Sequence, residues 1–90
     1  MKLRVLVRLK PGILDVQGAA VQRALEGLGF GEVAEVRVGK IVELEVSADT
    51  TERARARVEE MCTKLLANPV IEDYTVEDGD LAGPRARAVR

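Results

Sequence analysis

Ninety residues make one domain's worth of chain and leave no room for a nucleotide-binding domain beside a substrate domain. Hydrophobic residues are 47% and charged residues 32%, with 14 Lys and Arg against 15 Asp and Glu, which excludes disorder and a basic nucleic-acid surface. There is no His and one cysteine, Cys62, so the commonest metal ligand and general base are missing and no intrachain disulfide can form, as suits a reducing cytosol.

Leu3, Val5, Val7 and Leu9 alternate with Lys2, Arg4, Arg8 and Lys10, the period of two that turns one strand face to a core and the other to water. Charges break every apolar run at this end, so neither a signal peptide nor a membrane span is expected, and the protein reads as soluble and cytoplasmic. Pro11-Gly12 ends the strand. Asp15 is placed to cap a helix in which Gly18, Val21, Leu25 and Leu28 recur at helical spacing until Gly29. The glycines at 27, 29 and 31 follow a helix, whereas phosphate loops precede one, so they read as a stop and a turn.

Alternation returns with Ala34, Val36 and Val38, then Val42, Leu44 and Val46 after a break at Gly39-Lys40, and is read as a hairpin; one long bent strand is the alternative. Asp49-Thr50-Thr51-Glu52 resembles a capping box for a second helix with Ala54, Val58, Met61, Cys62 and Leu65 on its apolar stripe, ended by Asn68-Pro69. On that stripe, and with no His to activate it, Cys62 reads as core and not as a nucleophile. Val70 to Val76 makes a last strand. The acidic residues Glu72, Asp73, Glu77 and Asp78 read as a solvated edge before a cation site.

This order is βαββαβ, an α+β, ferredoxin-like arrangement with a four-stranded antiparallel sheet and both helices on one face. Residues 1–77 form the single domain, and 78–90, with Arg85, Arg87 and Arg90, a flexible tail. The outer sheet face would carry Arg4, Leu6, Arg8, Glu35, Arg37, Ile41, Glu43 and Glu45, a mixture that suits another protein sheet better than a small ligand. A chain this short buries only about 60 to 65% of its unfolded surface, so self-association is expected. Charge on rigid turns makes Lys10, Arg37 and Lys40 the candidate partner-docking residues. No catalytic, cofactor-binding or metal residue is assigned.

Three segments, Lys10 to Gly18, Val36 to Lys40 and Leu65 to Tyr74, resemble PurS, the small-subunit family of phosphoribosylformylglycinamidine synthase, in the same order and at similar spacing over residues 2 to about 77. Val16 stands where that family often has proline, and the chain beyond Glu77 is longer than its usual end. The resemblance implies a non-catalytic subunit of an ATP-dependent amidotransferase of purine biosynthesis. It would form dimers or tetramers and bridge the glutaminase subunit PurQ to the synthetase subunit PurL while ammonia passes between them. ATP and magnesium are expected on PurL, and no cofactor on this chain. The alternative is a ferredoxin-like regulatory module that binds a small metabolite at a dimer interface, for which the loop from Lys10 to Asp15 is a weak match.

Overall fold

In the computed structural model, which describes residues 1–79, the alternating segment Lys2–Leu9 forms β1 at the centre of an antiparallel sheet. The strands Lys40–Glu45 (β2) and Glu72–Asp78 (β3) flank it in the order β2-β1-β3. Register sets Val5 opposite Val42 on one side and Val76 on the other, so one face gathers Leu3, Val5, Val7, Val42, Leu44, Tyr74 and Val76. The other face sets Leu6 between Ile41 and Thr75, and Arg4 between Glu43 and Glu77. Arg4 is only 6% exposed and meets Glu43 Oε2 at 3.4 Å through Nη2.

The apolar face is covered by α2 (Thr51–Met61), whose Ala54 and Val58 are fully buried with Cys62 against Leu3, Val5 and Val7. Burying a side chain such as Val58 contributes about 1.5–3 kcal/mol, and Arg55 Nη1 ties the helix to β3 by donating to Val76 O at 3.0 Å. The cap lies one residue later than the sequence predicts. Thr50 Oγ1 accepts from Arg53 N at 3.1 Å, while Asp49 pairs with Arg53 at 3.9 Å, so Glu52 supplies first-turn charge without completing a capping box.

After Met61 the helix widens into a π turn, Cys62–Leu66, closed by Ala67 N donating to Cys62 O at 3.1 Å. The extra residue per turn rotates the stripe. Ala67 turns into the core, and Leu65, expected there, is 83% exposed.

Helix α1 (Val16–Gly27) forms as expected and ends in a Schellman motif, with Gly29 N donating to Glu26 O and Phe30 N to Leu25 O; Gly29, at φ 100°, takes the left-handed position that motif requires. It does not join α2 on the sheet. Its one buried residue is Gly18, whereas Val16 and Leu28 are 69% and 74% exposed. Residues 33–38 also depart from expectation: they form no hairpin with β2, and the described sheet has three strands in place of four. Their alternation is real, but α1 lies beside them where a neighbouring strand was expected, and their contacts run to α1 side chains and not to a ladder. Helix α1 and residues 33–38 thus form an arm at one end of the sheet, in a molecule 50 × 32 × 14 Å across. The expected last strand begins two residues late, at Glu72, and runs through Asp78. Of the predicted tail, residues 80–90 lie outside the described residues.

Candidate functional site

The end of β1 from which the arm leaves gathers the charged turns. Asp15 organises it. Its Oδ1 accepts from Gly18 N at 2.8 Å, capping α1, and its Oδ2 accepts from Val38 N at 2.7 Å, fixing the far side of the arm. These bonds, Gly18 first, hold its carboxyl below the usual aspartate range, with a further contribution from the Arg37 charge and against the opposing effect of burial. Gly18 is required by the same packing, because a Cβ there would collide with the Val36 carbonyl and stand 2.7 Å from Asp15 Oδ2. Gln22 completes the seam by donating to Ala34 O at 3.0 Å.

The structure brings the three sequence-predicted docking residues to this end but gives them different surroundings. Arg37 is a clamp as well as a surface charge: Nη1 donates to Ile13 O at 3.0 Å and Nη2 to Lys10 O at 3.2 Å, holding the loop that follows β1. Lys10 has its backbone N–H on Ile71 O at 2.8 Å and its ammonium 3.9 Å from Asp73 Oδ1. Lys40 is exposed at the start of β2, opposite Val7. An open cleft of about 680 Å³ lies alongside, lined by Arg8, Pro11, Gly12, Glu35, Arg37 and Asp73 among others. Its charges are of both signs and its side chains carry no thiol, imidazole or hydroxyl nucleophile beyond Thr75, chemistry suited to polar contact with a protein surface.

Sequence reasoning missed the second bond of Asp15 and the seam made by Gln22 and Gly18. One signal was present: a glycine in the first turn of a helix costs about 1 kcal/mol against alanine, and a close backbone neighbour is the usual reason for it. Elsewhere, Cys62 is wholly buried, and loss of hydration in the core, with a smaller contribution from Glu59, pushes its thiol up. The acidic residues of β3 are engaged locally, Glu72 Oε1 accepting from Asn68 N at 2.7 Å and Asp73 pairing with Lys10. Among the described residues no three His, Cys, Asp or Glu side chains gather as a metal would need, and no helix is long and apolar enough to cross a membrane.

Comparison with known proteins places these features in a family. The family model described as PurS, phosphoribosylformylglycinamidine (FGAM) synthase, matches residues 2–79. The chain is 49% identical over 76 residues to the Bacillus subtilis phosphoribosylformylglycinamidine synthase subunit PurS, covering 84% of this chain and 89% of that one. It is 45% identical over 76 residues to the Methanocaldococcus jannaschii subunit, covering 84% and 92%. Among solved structures, Bacillus subtilis PurS superimposes with a TM-score of 0.76 at 49% identity over 84% of this chain and 94% of that one. A chain of PurLQS from Thermotoga maritima does so with a TM-score of 0.78 at 34% identity, over 84% and 93%.

Proposed function

Because the chain belongs to the PurS family, the small subunits of phosphoribosylformylglycinamidine synthase, we propose that it is the bridging subunit that joins a glutaminase, PurQ, to a synthetase, PurL. The observation that carries the bridging role is its likeness to the chain from Thermotoga maritima PurLQS, a PurS in company with both partners. Ammonia released at one active site has to reach an activated amide at another without loss to water. A subunit that fixes the two sites relative to each other meets that need by holding reactants in place and excluding solvent. ATP and magnesium belong to the PurL side of this division, and the pathway places the assembly in the cytoplasm.

Lys10, Arg37 and Lys40 serve in this reading as part of the docking rim for PurL. The clamp of Arg37 on Ile13 O and Lys10 O supports it, because it makes the rim rigid before contact and lowers the ordering cost of binding. Self-association as a dimer or tetramer is part of the same reading.

The test is assembly. Purified PurL, PurQ and this chain, mixed with glutamine and nucleotide, are expected to elute as one species by light scattering. PurL and PurQ associating equally well when the chain is left out would overturn the bridging role.

A further inference from the structure

Arg4 and Arg8 alternate onto the same outer face of β1, but the strands beside them give them different company. Arg4 stands between Glu43 and Glu77, is buried, and meets Glu43 at 3.4 Å. Arg8 is exposed and has Asp73 opposite it on β3, yet Asp73 is the carboxylate that the Lys10 ammonium approaches at 3.9 Å. On the other side the backbone of Gly39 comes so close that a Cβ there would stand 2.6 Å from Val7 O and 3.4 Å from Arg8 Cβ, so no side chain can reach Arg8 from that position. Among the described residues the Arg8 guanidinium has no hydrogen-bond or ion-pair partner, and all five of its N–H donors are open to a visitor.

The same imbalance runs through both cavities at this end of the sheet. Arg8 lines the cleft of about 680 Å³ together with Arg37 and a smaller cavity of about 230 Å³ together with Lys40, and so links the surroundings of the two. The carboxylates of these cavities are mostly engaged: both Asp15 oxygens accept from backbone N–H groups, Glu72 Oε1 accepts from Asn68 N, and Asp73 pairs with Lys10. Only Glu35 lacks a partner among the described residues. The cations are open: Lys40 is exposed and unpaired among the described residues, and Arg37 uses two donors on neutral carbonyls, which leaves its charge unanswered. A visiting carboxylate would find donors waiting, whereas a visiting Lys or Arg would find most acceptors taken.

We infer that the surface of PurL docking here is acidic and that Arg8 is its anchor, closing on a PurL carboxylate through the paired N–H···O bonds that the guanidinium fork provides. Such bidentate pairs are stronger and more directional than single contacts, and Arg is enriched among the few residues that dominate an interface. Arg37 and Lys40 flank the anchor and act on encounter, while Arg8 acts on residence. Glu35 borders the cleft as a repulsive element that limits where the acid can settle.

The inference names the chemistry of the partner surface and rests on the PurL docking proposed above. Binding of purified PurL to the whole chain is followed kinetically for wild type, R8A, R8K, R8E and E35Q, with the melting temperature of each as the check on folding. Arg8 has no partner to lose, so its variants are expected to melt with wild type. R8A is expected to raise the dissociation rate roughly thirtyfold, as loss of an interface anchor does. R8K is expected to recover only part of that loss, because it keeps the charge without the fork, and R8E to bind more weakly than R8A. E35Q is expected to associate faster than wild type. PurL that fails to bind wild type would overturn the docking reading itself. PurL that leaves wild type and R8A at the same rate overturns only the role of Arg8. R8E binding more tightly than R8A, or E35Q associating more slowly than wild type, overturns the acidic partner; should R8E melt early, R8A and E35Q decide.

Discussion

Val38 donates its backbone N–H to Asp15 Oδ2 at 2.7 Å across 23 residues of chain, while the other oxygen of that carboxylate caps α1 through Gly18 at 2.8 Å. One side chain therefore starts the helix and holds the segment that returns past it. The placement of residues 33–38 beside α1 depends on that junction.

The junction is pH-dependent, and its sign follows from the direction of the shift. Asp15 is held below its ordinary value in the folded chain, so the unfolded chain takes up the proton first. Its stabilisation is complete above the ordinary aspartate pKa of about 3.9 and is lost as pH falls from there through the folded value. Glu45, depressed by the N-terminal ammonium, and Glu60, depressed chiefly by Lys64, weaken in the same sense. Thermal melts of wild type and Asp15→Asn are therefore expected to differ by several degrees near neutrality and to converge in acid. A constant gap down to about pH 2 would show that the carboxylate charge at this site does not matter.

Gly18→Ala is expected to push residues 33–38 away from α1, because the new methyl has backbone on one side and the capping carboxylate on the other. Backbone on a neighbouring segment yields less easily than a side-chain tip, so the cost exceeds the roughly 1 kcal/mol that alanine normally gains over glycine within a helix. Amide exchange at Val38 reports it directly, and faster exchange there with unchanged protection of Val5 is the expected pattern. Protection at Val38 equal to wild type would mean that the seam is looser than the geometry indicates.

What could be read from the sequence divides along one line. Alternation and helical spacing report which residues share a face, and for β1 and α2 the face found its expected partner because both lie in the one core, around Val5 and Val58. The same signals were present in Val33 to Val38 and in α1, but periodicity says nothing of what lies opposite. Both were assigned to a sheet that they leave. Leu65 shows a second blind spot, since a single π turn shifts the stripe by one residue and no spacing rule anticipates it. Of the residues proposed for docking, Lys10 and Lys40 stand out in the sequence as charge beside turns, and the structure sets both at the end of the sheet from which the arm leaves. The use of the Arg37 guanidinium on two carbonyls of a loop more than 20 residues away was not legible in the sequence.

Cys62 is expected to be inert in the folded chain. Its thiol is buried and its pKa raised, so a colorimetric disulfide reagent should label it only at the rate of unfolding. Cys62→Ser places a hydroxyl among Leu3, Val5 and Val58 and should cost about 1–3 kcal/mol. Rapid stoichiometric labelling in native buffer would contradict the packing described.

Lys10→Ala combined with Lys40→Ala removes the two lysines proposed for docking, one half-exposed beside Asp73 at 3.9 Å and one exposed, and is expected to leave the melting temperature nearly unchanged. Association with PurL should slow and lose salt sensitivity, since rim charges act mainly on the encounter rate. Binding kinetics across salt concentrations check this. Identical rates and an identical salt slope for the double variant would place the docking surface elsewhere.

The central claim is that this chain couples two active sites, and the most direct measurement is product formation by PurL and PurQ with and without it, using glutamine or free ammonium as the nitrogen source. The bridging account predicts that formylglycinamidine ribonucleotide formation from glutamine requires the chain, whereas formation from ammonium at high concentration does not. Glutamine-dependent turnover of undiminished rate in its absence would contradict the account.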